Sequence, residues 1–284
     1  MNTTITLPDF DSFGSQAISA LDNPELAVAE TQRLLKADRD SNRPVIEAPG
    51  ETHVRLERGI YRDGAWHHDA EVRELTGEDE EAIAAAGSPL RVIDTLLLRG
   101  VVRVGPESMS RQVAGELLIG DRELLILGIR RATFGDTIEF EALPCPHCEE
   151  LTDLSVPLDA IPLVRLAEPE RTELEVPLRR GAVAHVALPT GSDQAAVLSL
   201  RDATEAKQNS EVLSRCLLRV VSADGVVEEK PNARKLSIAD RHTLLDFLTK
   251  TQPGPRYHDF SYTHEACGEE VPLPITLAIL FRGV

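Results

Sequence analysis

The 284-residue sequence predicts an α+β fold built from an internally duplicated unit, and three observations carry that prediction. Cys145-Pro146-His147-Cys148 is answered 119 positions later by His264-Glu265-Ala266-Cys267. At the same displacement, Leu117-Leu118-Ile119-Gly120-Asp121-Arg122 is answered by Leu236-Ser237-Ile238-Ala239-Asp240-Arg241, and Leu125 by Leu244. Ahead of both stretches, alternating apolar residues flank a glycine turn and lead into a Thr-Gly pair at a helix start. The displacement narrows to 117 at Gly64 and Gly181 and to 114 at Thr76 and Thr190, as a few loop insertions would make it.

Residues 1–50 differ in texture from the rest. They are rich in Asp, Asn, Thr, Ser and Pro, and their one helical candidate, 24–37, has a weak apolar stripe. This segment is expected to be an N-terminal arm, either a linker or strand-and-helix extension that becomes ordered on a partner or, equally, a simply disordered one.

The first repeat is placed at 51–160. Val54, Leu56 and Ile60 lead into Asp63-Gly64, and Trp66 and Val72 lead away, the pattern of a β-hairpin. A helix is expected to start in Leu75-Thr76-Gly77-Glu78-Asp79-Glu80-Glu81, where Thr76 can cap it and the carboxylates favour its positive end. Pro89 opens a second helical run through Val92, Ile93, Leu96, Leu97 and Val101, closed by Gly105-Pro106. A third helix is expected from Leu117 through Ile129, ending at Phe134-Gly135-Asp136. Ile138 and Phe140 then predict a strand entering Cys145, and Leu154, Val156 and Leu158 a strand leaving Cys148.

The second repeat, 170–284, follows the same order. Leu174, Val176 and Leu178 alternate up to Arg180-Gly181, and Val183, Val186 and Leu188 return, a second hairpin. Pro189-Thr190-Gly191-Ser192-Asp193-Gln194 mirrors the earlier helix start. A long helical run follows through Val212, Leu213, Cys216, Leu217, Val220 and Val221 to Asp224-Gly225, and another begins near Leu236. Tyr257 and Phe260 lead into His264; Val271, Leu273, Ile275 and Leu277 lead out of Cys267 as a strand.

The two Cys/His turns have metal-ligand spacing. Zinc takes four tetrahedral ligands from thiolate sulfur and imidazole nitrogen, and two short turns from opposite parts of a fold supply that arrangement. Cys145, Cys148, His264 and Cys267 are therefore candidate ligands of a structural zinc. If an approximate two-fold axis relates the halves, the ion lies where they meet and its binding energy becomes folding energy for the chain. A catalytic zinc keeps an open position for water, whereas four candidates, three of them cysteines, fill this shell. The competing reading is a Cys145/Cys148 redox pair beside an ordinary His264, and the matched displacement counts against it. His147 is left out of the ligand set because the flanking cysteines already supply the pair. Cys216 reads as a buried core thiol, and His67 and His68 as solvated. No phosphate loop, G-x-S-x-G turn, H-E-x-x-H helix or dinucleotide fingerprint occurs, so no enzyme is expected.

Composition narrows the setting. A formal net charge of −17 opposes binding by phosphate neutralisation, so nucleic acid is an unsuitable partner. The longest apolar runs are too short to cross a bilayer and the N-terminus lacks a signal region, which places the protein in the cytoplasm with no membrane contact of its own. Four cysteines are too few for a disulfide scaffold of this length and suit metal binding in a reducing compartment.

Leu75-Thr76-Gly77-x-x-Glu80, Ile119-Gly120-Asp121-Arg122, and Thr133-Phe134-Gly135-Asp136 through Phe140 to Cys145-Pro146-His147-Cys148 together resemble a baseplate (hub or assembly) protein family of contractile-tailed phages and phage-derived contractile injection systems. Val271-Pro272-Leu273-Pro274 and Phe281-Arg282 resemble that family's ending. The resemblance covers about 51–284 and leaves the arm outside. It implies a structural or assembly role near the baseplate hub, without turnover, in contact with other baseplate and tail proteins and incorporated in a phage tail-like particle. His264 departs from the all-cysteine pattern the family leads one to expect, though histidine is a competent zinc ligand. The alternatives are a transient assembly chaperone absent from the mature particle, a zinc-ribbon nucleic-acid binder, which the acidic composition disfavours, and a zinc hydrolase, which would need an exchangeable water on its metal.

Overall fold

A tight antiparallel hairpin opens the described residues. The structure, a computed structural model, describes residues 52–273 and 275–281, so the arm, its helical candidate 24–37, Pro274 and Arg282 lie outside the described residues. Strands β1 (His53–Arg62) and β2 (Ala65–Val72) are joined by Asp63-Gly64, both at positive φ, the chemistry of a two-residue hairpin turn. Their register shifts between Arg55 and Ile60. That irregularity turns three successive N–H groups, of Glu57, Arg58 and Gly59, onto the fully buried Asp121 carboxylate, at 2.6, 3.2 and 2.8 Å. Burial pushes the Asp121 carboxyl up, against the pull of those three donors.

Helix α1 (Gly77–Ala84) begins as expected. Thr76 donates both its N–H and its hydroxyl to Asp79, whose carboxylate also takes the Arg73 guanidinium at 2.8 Å and lies 3.6 Å from that of Arg99. The Arg73 hydrogen bond, helped by Thr76 and opposed by burial, holds the Asp79 carboxyl at about 2. Helix α2 (Pro89–Gly100) starts on Ser88, whose hydroxyl accepts from Arg91 N–H, with Pro89 at its first position.

The expected helix through Val101 stops at Gly100. Val101–Val104 is strand β3, paired with β2 and with the short β4 (Glu107–Ser108), giving a sheet ordered β1-β2-β3-β4. Valines at 101, 102 and 104 satisfy either period in so short a run, and pairing with β2 decides for the strand. A short helix α3 (Arg111–Glu116), absent from the sequence reading, precedes α4 (Ile119–Phe134), which lays Leu125, Ile126 and Ile129 into a core with Leu56, Ile60, Val72 and Leu97. Strands β5 (Thr137–Pro144) and β6 (Leu151–Pro157) then carry the first Cys/His turn at their tip.

After β7 (Leu163–Val164) the same succession runs again. Strands β8 (Leu174–Pro177) and β9 (Val183–Val186) pair, α5 (Gly191–Leu198) and α6 (Glu205–Cys216) follow, and β10 (Leu217–Val221) and β11 (Val227–Glu229) complete a sheet ordered β8-β9-β10-β11. Here too the expected helix gives way to a strand, at Leu217, because the β-branched Val220 and Val221 pair with β9. Helix α7 (Ile238–Thr251) occupies the place of α4; β12 (Gly254–Pro255) pairs with β7; β13 (Ser261–Thr263) and β14 (Glu270–Pro272) carry the second turn. The expected strand through Leu277 ends at Pro272, and Leu277–Leu280 is instead the short helix α8.

Individual contacts recur with the elements. Thr190 donates N–H and hydroxyl to Asp193, and Arg215 lies 3.5 Å from that carboxylate, as Arg99 does from Asp79. Arg122 donates to the Ala114 carbonyl and Arg241 to the Ala233 carbonyl, eight residues back in each case.

Two apolar cores result, one per succession, and each borrows from the other. Leu273, Ile275, Leu280 and Phe281 complete the first; Leu118 completes the second. The halves are also tied through the backbone. Gly191 N–H donates to the Leu117 carbonyl at 2.8 Å, and Ile119 N–H to that of Pro189 at 3.3 Å. A Cβ on Gly120 would lie 1.7 Å from the Pro253 carbonyl oxygen, so only glycine permits that approach.

Candidate metal centre

Both turns are held by the same backbone bonds at matching positions. Cys145 N–H donates to the Glu150 carbonyl at 3.0 Å, and Glu149 N–H to the Cys145 carbonyl at 2.9 Å. In the second turn His264 N–H donates to Glu269 at 2.9 Å, and Gly268 N–H to His264 at 2.7 Å. Glu149 and Gly268 both take positive φ, 61° and 73°, which reverses the chain within a few residues and aims positions one and four of each turn at one point.

The four predicted residues meet there. The ligand atoms of Cys145, Cys148, His264 and Cys267 all lie within 4.8 Å of one another. Sγ of Cys145 is 3.8 Å from Sγ of Cys267; His264 Nδ1 is 3.5 Å from Cys148 Sγ and 3.3 Å from Cys267 Sγ. A tetrahedral ion with sulfur at about 2.3 Å and nitrogen at about 2.0 Å sets edges of roughly 3.8 Å between sulfurs and roughly 3.5 Å from sulfur to nitrogen. The cluster is thus close enough to bind a metal ion, and its donor set and edges fit zinc.

Cys145 and His264 are buried, at 1% and 2% exposure, while Cys148 and Cys267 are exposed. Burial opposes the Cys145 thiolate, yet the N–H groups of His147 and Cys148 and the thiols of Cys148 and Cys267 donate to its sulfur and hold it below the usual thiol range. For Cys148 the Glu150 N–H favours the thiolate, but burial and the two neighbouring sulfurs outweigh it and raise the thiol. Three sulfurs crowded together resist joint ionisation, and a divalent cation removes that conflict. The Tyr262 ring stands edge-on to His264, centroids 6.4 Å apart, and fixes the imidazole plane.

The remaining candidates fall elsewhere. His147 is exposed on the turn and outside the cluster; His67 and His68 lie on β2, also outside it. Cys216 is buried at the end of α6, and burial pushes its thiol up to about 12. Sequence reasoning missed a cleft of about 330 Å³ at the start of α1, lined by Leu75, Thr76, Gly77, Glu80, Leu96 and Phe281 among others. The signal available was the match of 75–80 to 189–194, which reads as a helix start until the surroundings of the two stretches are compared.

Among the described residues no helix is long and apolar enough to cross a membrane. A family model described as T4 bacteriophage base plate protein matches residues 72–271, a span that contains all four clustered side chains. No curated protein and no solved structure matches.

Proposed function

The chain belongs to the T4 bacteriophage base plate protein family, and from that premise we propose that it is a structural or assembly component of a contractile tail or injection-system baseplate, working without turnover through contacts with other baseplate and tail proteins. The observation that carries the reading is the extent of the match, which takes in strands β3 and β4 of the first four-stranded sheet, all of the second, and both Cys/His turns. The protein is made and folded in the cytoplasm and enters a tail-like particle. Nucleic acid is excluded from its partners by the same charge argument as before.

In this reading Cys145, Cys148, His264 and Cys267 hold one structural zinc. Three thiolates and an imidazole fill the tetrahedron, leaving no open position for a substrate or water. Residues 51–160 and 170–284 are two copies of one unit, related by an approximate two-fold axis through the ion. Support comes from the repeated strand order, the paired Thr76/Asp79 and Thr190/Asp193 caps, and the Arg122 and Arg241 bonds.

The functional test is isolation of particles from cells carrying a tagged chain. Copurification with tail and sheath proteins, and presence in finished particles, is the expected result. A tagged chain that binds tail intermediates but is missing from mature particles identifies a transient assembly chaperone, and one that binds neither removes the baseplate role.

A further inference from the structure

The bond between the halves uses one end of each and leaves the other end of each open. Inside the chain, 117–119 of the first half lies antiparallel to 189–191 of the second, with Leu118 bridged to Thr190 and the Leu117 and Pro189 carbonyls both occupied. By the displacements above, the equivalent of 189–191 in the first half is 75–77, and the equivalent of 117–119 in the second half is 236–238. Among the described residues, the Leu75 carbonyl, Gly77 N–H, Leu236 carbonyl and Ile238 N–H have no hydrogen-bond partner. Leu117 and Leu118 are buried where their equivalents Leu236 and Ser237 are half-buried and exposed, and Ile119 is half-buried where Ile238 is 76% exposed. Gly191 is buried and a Cβ there would lie 2.3 Å from the Ala114 carbonyl; Gly77 is exposed and a Cβ there meets nothing within 4 Å.

The open ends also carry opposite charge. Where Ser192 donates to the Gly115 carbonyl inside the chain, the equivalent positions are Glu78 and Arg234, both exposed. Glu80 and Glu81 extend the acidic end beside the cleft at Leu75, and Lys235 extends the basic one. We propose that 236–238 of one molecule docks antiparallel against 75–77 of a second copy of this chain, reproducing between molecules the contact that 117–119 makes with 189–191 within one. The contact is head-to-tail, so its repetition closes a ring or extends a row. Facing carboxylates and guanidinium groups speed encounter and fix the register, and salt weakens them.

The inference rests on reading the halves as copies, and its test is separate from the particle experiment. Light scattering on the purified full-length chain at high micromolar concentration is expected to give multiples of the chain mass, diminishing as salt is raised. Gly77→Ala, which no described residue opposes, and Ile238→Asp, at an exposed position, are each expected to give monomers with unchanged melting temperature and metal content. Mixed, the two variants are expected to form a dimer with one copy of each, because each retains the end the other lacks. A wild-type chain that stays monomeric, a variant that assembles like wild type, or a mixture that fails to pair overturns the proposal.

Discussion

Cys145 Sγ lies 3.8 Å from Cys267 Sγ although 122 residues separate them along the chain. Replacing Cys148 or Cys267 with serine is expected to release the metal and lower the stability of both halves together. Metal binding that is linked to folding contributes on the order of 10 kcal/mol in small zinc domains, so the melting temperature should fall by many degrees. Metal content per chain, with hydrogen exchange across β8–β11 as the readout for the second half, checks this. Unchanged metal content and melting would remove the ion from the fold.

Asp121 is expected to be one of the costliest single positions in the first half. Alanine there leaves the N–H groups of Glu57, Arg58 and Gly59 without their acceptor. Each buried unsatisfied group costs about 1–3 kcal/mol, so urea unfolding should show a loss of roughly 3 kcal/mol or more. A loss below about 1 kcal/mol would mean that water reaches the bulge.

Asp79 contributes a pH-dependent part of the stability. Its carboxyl is held at about 2 in the folded chain, below its ordinary 3.8, so folding gains from the ionised form above about pH 4. That gain disappears as pH falls from 4 through 2 and amounts to on the order of 2 kcal/mol. Wild type should therefore exceed Asp79→Asn in urea stability at pH 6 and lose most of that advantage by pH 2. A difference that does not change with pH assigns the effect to packing alone.

Cys216 should resist thiol reagents in the native chain. Burial pushes its thiol up to about 12, and only the thiolate reacts. With the metal chelated, exposed Cys148 and Cys267 should be alkylated first, and Cys216 only when urea unfolds α6. Early labelling of Cys216, followed by mass spectrometry, would contradict its placement in the core.

Local chemistry was legible in the sequence where one residue type determines the backbone. Asp63-Gly64 gave its turn, Thr76 and Thr190 their helix starts, and the two Cys/His turns the ligand cluster. Periodicity misled where a helix hands directly over to a strand, at Gly100 to Val101 and at Cys216 to Leu217, because an apolar run of only four or five residues satisfies both periods. Sheet pairing resolves that choice, and it depends on distant residues. The Asp121 acceptor site was hidden for the same reason, since its donors lie on β1 more than sixty residues away.

A ribosome releases Cys145 and Cys148 well before His264 and Cys267. At about 5–20 residues per second, the intervening 119 positions take roughly 6–24 s to synthesise. Through that interval the nascent first half exposes two thiols at ligand spacing without their counterparts, and Leu273, Ile275, Leu280 and Phe281 have yet to close its core. Folding of the N-terminal half therefore cannot finish until residues 273–281 are made, and a product truncated before His264 is left with half its ligand set and an open core, exposed to proteolysis.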